Sequence, residues 1–262
     1  IVHIHSFDQL EELVSDFPLK AQLLAKAFWP GSLTLVLNKK PAIPYLITGG
    51  KDSVALRMPN HPVALELLRK LTFPLAAPSA NPFNRISPTS SKHVEGYFKD
   101  SISLVLEGGE CLNGIESTII GFENQEPVLF RLGSISIEEI ESVIGKIEIK
   151  NKKERSPNAP GMLAKHYSPI TNTIMVEDLY GFVQGNSNQR LGVLSFEDEM
   201  KSLKLDNLVV LSKKGDLKEA ASNLYKSLHN LDNLNLDVIV VERFPDFGLG
   251  RSINDRLERA SK

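Results

Sequence analysis

The densest set of ligand-binding groups is Ala77-Pro78-Ser79-Ala80-Asn81-Pro82, continuing to Ile86-Ser87-Pro88-Thr89. Small hydroxyl and amide side chains let a ligand approach the backbone. Free N–H groups at the entrance of the following helix favour anions such as phosphate. Pro78, Pro82 and Pro88 stiffen the loop. A plainer reading is a strand-to-helix loop with Ser and Thr as caps. The density of prolines and small polar residues favours a ligand loop instead.

Ser53-Val54-Ala55-Leu56-Arg57-Met58-Pro59 puts an Arg at a strand end, just before a Pro. A guanidinium there aims a rigid donor fork beyond the sheet, which suits a carboxylate or phosphate. Taken alone, a surface Arg paired with a nearby Glu is the better reading. Gly114-Ile115-Glu116-Ser117-Thr118 delivers a Ser-Thr pair to the start of a strand, either to meet a ligand or to end a turn. Phe130-Arg131-Leu132-Gly133 ends another strand with a second Arg. Lys165-His166-Tyr167 lies in a segment that otherwise reads as a linker. Two readings stand for it: a segment folded down onto a site, or a docking contact between domains. His3 and His5 alternate with apolar residues and share one strand face, but no carboxylate or Cys motif completes a metal site, so structural zinc is rejected. Cys111 reads as a small hydrophobe rather than a nucleophile, with no His close in sequence. Asp246-Phe247-Gly248-Leu249-Gly250 resembles a nucleotide-type turn, yet a lone Gly-x-Gly is weak and the full dinucleotide fingerprint is absent.

These groups must be held by elements that the hydrophobic pattern outlines. Strands are expected at Ser32–Leu37, Val54–Leu56, Leu75–Ala77, Ser103–Leu106, Thr118–Gly121 and Val128–Phe130. Helices are expected at Phe7–Val14, Leu19–Phe28, Pro62–Leu71, Ser91–Phe98 and Ile137–Ile144, the last with Ser136 as N-cap and Glu139 three positions on. The composition then turns Lys-rich, followed by a stretch with three prolines, which reads as a partly ordered linker. Beyond it, strands at Thr173–Val176, Leu191–Leu194, Leu208–Leu211 and Val238–Val241 alternate with helices at Leu217–Leu228 and Ser252–Arg259. The last helix is expected to open with Ser252 and Asp255 as a capping pair. That alternation predicts a small, mainly parallel α/β sheet.

The 262 residues suit two domains better than one. At 42% hydrophobic and 24% charged, the chain has a globular composition and is no disordered tail. A net charge of -2 excludes a globally basic nucleic-acid coat. One cysteine allows no intrachain disulfide, which suits a reducing cytoplasm. No apolar run is long enough to cross a bilayer, and no signal peptide is visible.

Together, Lys26-Ala27-Phe28-Trp29-Pro30-Gly31-Ser32-Leu33-Thr34, the Pro78–Thr89 loop, Gly114–Ile119, Arg131-x-Gly133, Pro160-Gly161-Met162 with Lys165-His166-Tyr167, and the ending Pro245…Gly248-Leu249-Gly250…Asp255-Arg256-Leu257 resemble the YrdC-type threonylcarbamoyl-AMP synthases in their long, two-domain form. The resemblance covers essentially the whole chain. It implies an α/β fold: a YrdC-like twisted mixed sheet with a concave cleft over residues 1–146, a linker or lid over 147–172, and a smaller Rossmann-like domain over 173–262. It implies an ATP-dependent nucleotidyltransferase that converts L-threonine, bicarbonate and ATP into threonylcarbamoyl-AMP and pyrophosphate, with Mg²⁺ accompanying ATP and no metal held by protein side chains. The product would pass to the tRNA threonylcarbamoyl transferase machinery. By motif, Ser53, Ser79, Asn81, Ser87, Arg131, Ala159, His166 and Tyr167 are expected to contact ATP. His3, Arg57, Ala77 (through its backbone) and Ser117 are expected to contact L-threonine. No protein nucleophile is needed, because positioning and charge neutralisation suffice. The family also carries a Lys-x-Arg motif and a Tyr-Gly-Leu segment upstream of the strand bearing His3. Neither occurs here, so a natural chain beginning before Ile1 is expected, with part of the active site in it. Asn84 replaces a common Gly, and Asn tolerates the left-handed conformation best after Gly. The rival reading is an RNA-binding module of the same fold; with acids exceeding bases, it has few charges to track phosphates.

Overall fold

The strand alternation Leu33, Leu35, Leu37 builds one buried face, and the rest of the first sheet is laid on that register. A computed structural model describes residues 1–150, 166–198 and 205–262. Two units are present. The first comprises Ile1–Pro78 and the described part of Glu116–Met162; the second comprises Ser79–Ile115 and the described part of Leu163–Lys262. The segment Ser79–Ile115 therefore belongs with the C-terminal part of the chain, a grouping that chain order alone does not suggest.

The first unit runs β1 (Val2–His3), α1 (Phe7–Leu13), α2 (Leu19–Phe28), β2 (Leu33–Asn38), α3 (Tyr45–Thr48), β3 (Ser53–Arg57), α4 (Pro62–Lys70) and β4 (Leu75–Ala76). After α5 (Ser91–Phe98) of the second unit, it resumes with β5 (Thr118–Glu123), β6 (Glu126–Arg131), α6 (Ile137–Ile144) and β7 (Glu148–Ile149). Its seven strands lie in the order β4-β1-β3-β2-β5-β6-β7. Parallel pairs (β1 with β3, β2 with β5, β6 with β7) alternate with antiparallel ones, making a mixed sheet. One face carries Val2, Leu33, Leu35, Leu37, Val54, Leu56, Ile120 and Leu129 against Leu10, Leu13, Ala21, Leu24, Leu65, Ile137 and Ile140 of the helices. Burying each large side chain contributes about 1.5–3 kcal/mol. Because side chains alternate along a strand, the other face receives His3, Thr34, Val36, Ser53, Ala55 and Arg57. On that face only Ile119, Val128 and Phe130 form a small buried cluster, with Val36 against it. The capping box at α6 is present as the sequence indicates: Ser136 and Glu139 each accept from the other's backbone N–H.

The second unit adds β8 (Thr173–Val176), α7 (Leu179–Gly185), β9 (Leu191–Ser195), β10 (Leu208–Val210), α8 (Leu217–Asp232), β11 (Val238–Glu242) and α9 (Leu249–Ala260). Its sheet is wholly parallel, in the order β10-β9-β11-β8. Leu194, Ile239 and Val241 pack against α8 and α9, whereas Val193 and Val240 pack against α7. Helices on both faces give the doubly wound, Rossmann-like arrangement expected.

Three local expectations are corrected. Ser103–Leu106 is not a strand: none of its residues pairs with a neighbouring strand, and Leu104 and Leu106 are exposed. Alternation alone cannot supply a ladder partner. The last helix begins at Leu249, not Ser252. Gly248 is its N-cap with no side-chain bond, and Asp255 faces Arg256 and Arg259 instead of capping. Helix α8 extends four residues past Leu228 to Asp232. No helix among the described residues is long and apolar enough to cross a membrane.

Candidate functional site

In the first unit the sheet register assembles a polar row on the face opposite the core. His3 lies beside Arg57 across the parallel β1–β3 pair. Leu35 faces Leu56 across β2–β3, so continuing that register one step sets Thr34 opposite Arg57. Thr34 pairs with Ile119, and Ile119 with Arg131. Four motifs far apart in sequence thus meet at one level of the sheet.

Hydrogen bonds lock the row. Arg57 Nε donates to Gly31 O at 3.0 Å, and Gly31 N donates to Met58 O at 2.8 Å. Thr34 Oγ1 and Ser117 Oγ are 2.7 Å apart. The Arg131 guanidinium donates from Nε (3.1 Å) and Nη2 (2.8 Å) to Ser117 O, and from Nη2 to Ser117 Oγ (3.1 Å). Arg131 is therefore a buried clamp on Ser117. Gly133 explains the Arg-x-Gly spacing. A Cβ there would lie 2.3 Å from Thr118 N and 2.4 Å from Ser117 C, so only glycine lets the chain after β6 pass this close to Ser117. Thr118 completes the support: its Oγ1 donates to Ile135 O at 2.8 Å, and its N–H donates to Ser32 O at 3.0 Å. The Trp29–Thr34 motif thus works mainly through its backbone and the Thr34 hydroxyl.

Burial, then the neighbouring Arg57 charge, lowers the His3 pKa to about 4, against hydrogen bonds to the backbone at Leu75 and Ile1. At neutral pH a neutral imidazole stands next to a guanidinium. Such a pair can hold a carboxylate on the cation and leave an uncharged ring nitrogen for a second group. Ala77 lies past the end of β4, and its N–H donates to Ile1 O at 3.0 Å. Ser53 shares the Arg57 face but sits four residues along β3, roughly 13 Å away at about 3.3 Å per residue. There it lines a cavity of about 320 Å³ with Val36, Asn38, Lys51 and Phe130.

The second unit holds the other expected residues: Ser79, Asn81 and Ser87 on the loop, and His166 and Tyr167 at the linker's end. Ala159 lies outside the described residues. The structure brings loop and linker end together. Ser168 N donates to Asn84 O at 2.8 Å, and Arg85 and Ser168 form an isolated parallel bridge. Asn84 has φ +64°, the left-handed conformation that Asn tolerates best after Gly. Asn81 Nδ2 donates to Pro82 O (3.1 Å) and Arg85 O (3.2 Å), which shapes the loop from within. Ser79 is exposed, whereas Ser87 is buried and its carbonyl meets His229 Nε2 at 3.2 Å. Tyr167 is buried at φ +62°, stacks on Tyr225 at 5.7 Å, and lies 5.3 Å from the Arg256 guanidinium; the His166 ring meets it edge-on at 4.0 Å. Asn81 Oδ1, Asn84 Oδ1 and Ser168 Oγ are buried yet make no hydrogen bond. Buried polar atoms are normally satisfied, so these three oxygens along two adjoining segments retain capacity to accept from a polar partner.

Arg85, His229 and Asp232 escaped the sequence reading. Arg85 stood in the ligand loop itself, but the two α8 residues carry no signal beyond the helical pattern.

Comparison with known proteins finds relatives over the whole chain. Residues 1–133 match a family model described as telomere recombination, covering the Sua5, YciO and YrdC proteins. Residues 135–262 match that of the C-terminal domain of threonylcarbamoyl-AMP synthase. The threonylcarbamoyl-AMP synthase of Pyrococcus abyssi is 42% identical over 274 residues, spanning all of this chain and 79% of that protein. The Bacillus subtilis synthase is 38% identical, spanning all of this chain and 78% of its own length. The crystal structure of P. abyssi Sua5 complexed with L-threonine superposes with a TM-score of 0.90 at 40% identity, over 99% of this chain and 79% of that one.

Proposed function

The chain belongs to the threonylcarbamoyl-AMP synthase family, and from that premise we propose that it makes threonylcarbamoyl-AMP from L-threonine, bicarbonate and ATP. The observation that carries the reading is the row His3–Arg57–Thr34–Ser117. It offers a cation for the threonine carboxylate, a neutral imidazole for its amine, and hydroxyls at the strand ends. That a related protein was solved with L-threonine bound supports the same substrate here.

In this reading Arg57 holds the carboxylate in a charge-assisted fork. The amine nitrogen, unprotonated, attacks the carbon of bicarbonate. Water leaves, a carbamate forms, and one of its oxygens attacks the α-phosphorus of ATP with departure of pyrophosphate. Arg131 clamps Ser117 at the threonine side and adds positive charge for the phosphates. Ser79, Asn81 and Ser87 on the stiff loop, with Ser53, His166, Tyr167 and Ala159, contact the nucleotide. Mg²⁺ bound with ATP would supply charge neutralisation at the phosphates, and no side chain of this protein is assigned to it. The expected setting is the cytoplasm, with the product consumed by a transferase acting on tRNA. Direct RNA binding is not assigned, because the net charge of -2 offers little to a phosphate backbone.

The test is pyrophosphate release by the purified protein with each substrate omitted in turn. Release that needs both L-threonine and bicarbonate, with threonylcarbamoyl-AMP seen by mass, supports the reading. Release indifferent to threonine sinks it.

A further inference from the structure

Helix α8 ends on an acid, where the helix dipole is least favourable to one, since cations and not anions are stabilised by the terminal carbonyls. Asp232 occupies that last position, with a side chain only 9% exposed. Three donors compensate it. Oδ2 accepts from Ile170 N at 2.9 Å and lies 3.2 Å from Arg85 Nη2; Oδ1 accepts from Thr171 N at 2.7 Å. These donors come from two different segments. Arg85 belongs to the proline-stiffened loop, and Ile170 and Thr171 close the linker just after His166 and Tyr167. The orphaned oxygens lie on the same two segments: Asn81 and Asn84 on the first, Ser168 on the second. A carboxylate that accepts from both segments fixes their spacing, and a ligand reaching all three orphans requires that spacing to be held.

We infer that Asp232 is a positioning residue for the nucleotide: a carboxylate tie, through Arg85 and the N–H groups of Ile170 and Thr171, that holds the Asn81–Ser87 loop and the His166–Ser168 segment at the separation needed to grip ATP. The inference rests on the proposed ATP reading of those two segments. It gives the C-terminal unit a stated task, setting the geometry of nucleotide contacts without supplying a group that touches the reacting atoms. His229, one turn earlier on α8, reinforces the same loop through Ser87 O.

The experiment is steady-state kinetics of Asp232→Asn and Arg85→Gln against the parent enzyme, with KM measured separately for ATP and L-threonine. Asn keeps the shape and one acceptor but loses the charge. Arg85→Gln cuts only the loop arm, at a side chain 23% exposed, and leaves the helix end intact if the first variant folds poorly. The expected result is a KM for ATP raised about tenfold in each, a KM for threonine within twofold of parent, and a double variant no worse than the poorer single, since both cut one link. An unchanged KM for ATP in both variants overturns the inference. So does a parallel loss of kcat and both affinities that tracks a fall in Tm, because that is the signature of plain destabilisation. A parent enzyme that never saturates with ATP overturns the nucleotide reading itself, and the inference with it.

Discussion

In the first unit the proposed threonine groups sit on strands or at their ends, with Ser53 and Arg131 of the nucleotide set on strands of the same sheet; in the second unit the other described nucleotide groups sit on a loop and a linker end. The strand-borne row is set by ladder register, and its polar groups already bond one another: Thr34 with Ser117, Ser117 with Arg131, Arg57 with Gly31. The loop-borne set is held by side chains reaching from α8, and three of its oxygens are buried without a partner. A sheet fixes positions through many cooperative bonds, so its site is pre-organised. A loop fixed by a few long-range ties is completed only when ligand fills the remaining hydrogen-bonding capacity. The two halves of the reaction should respond differently to mutation.

The largest effect expected is at the row. Arg57→Ala should weaken L-threonine binding by about 2–3 kcal/mol, or about 30- to 150-fold, the loss for a charge-assisted pair, with ATP binding nearly unchanged. Calorimetric titration checks it; unaltered threonine affinity would remove Arg57 from the site. On the loop, Ser79→Leu should raise the KM for ATP at least about tenfold by bulk alone, since Ser79 is exposed and nothing in the core depends on it. Pyrophosphate release at the parent rate would reduce the loop to a structural connection. Next, Gly133→Ala should cost about 1–3 kcal/mol of stability, because the new Cβ meets backbone and not a movable side chain. Thermal unfolding reads this directly, and a variant as stable as the parent would show that the chain near Ser117 can yield.

The same contrast explains how much could be read from the sequence. The strands of the row were legible because alternation of Leu33, Leu35 and Leu37, or of Val54 and Leu56, is a local signal with a physical cause. Which strands adjoin is not local: nothing in Ile1–His5 says that His3 will stand beside Arg57, and the family resemblance, not the periodicity, grouped them. Gly133 was visible as a motif, but its reason, the approach to Ser117, needed the register. Ser103–Leu106 shows the converse, an apolar strand-like run with no partner to pair with. Asp232 and His229 could not be read at all. An acid and a His on an amphipathic helix look like solvated residues until a loop more than 140 positions away in sequence is laid against them.

The last effect expected is on stability against pH, and it sharpens the comparison because a strongly shifted histidine stands in each unit. Burial, then Arg57, lowers His3 to about 4 in the row. Burial, then His93, lowers His229 to about 4 beside the loop; the His93 ring stacks on it at 3.8 Å, Tyr97 lies 5.6 Å away, Asp232 opposes the shift and Arg85 adds to it. In the unfolded chain each would titrate near 6.5. Between pH 6.5 and 4 the unfolded state binds the extra proton, so stability is full above about 6.5 and falls as pH drops towards 4. At about 1.4 kcal/mol per unit over about 2.5 units, the loss is at most about 3.5 kcal/mol for each histidine. His229→Gln, which keeps a donor for Ser87 O, should flatten part of that slope while leaving the part due to His3. Denaturant unfolding at pH 7, 6, 5 and 4.5 separates the two. If the variant keeps the full parental slope, His229 is not desolvated in solution, and α8 does not cover the loop as tightly as its contacts with Ser87 and Arg85 indicate.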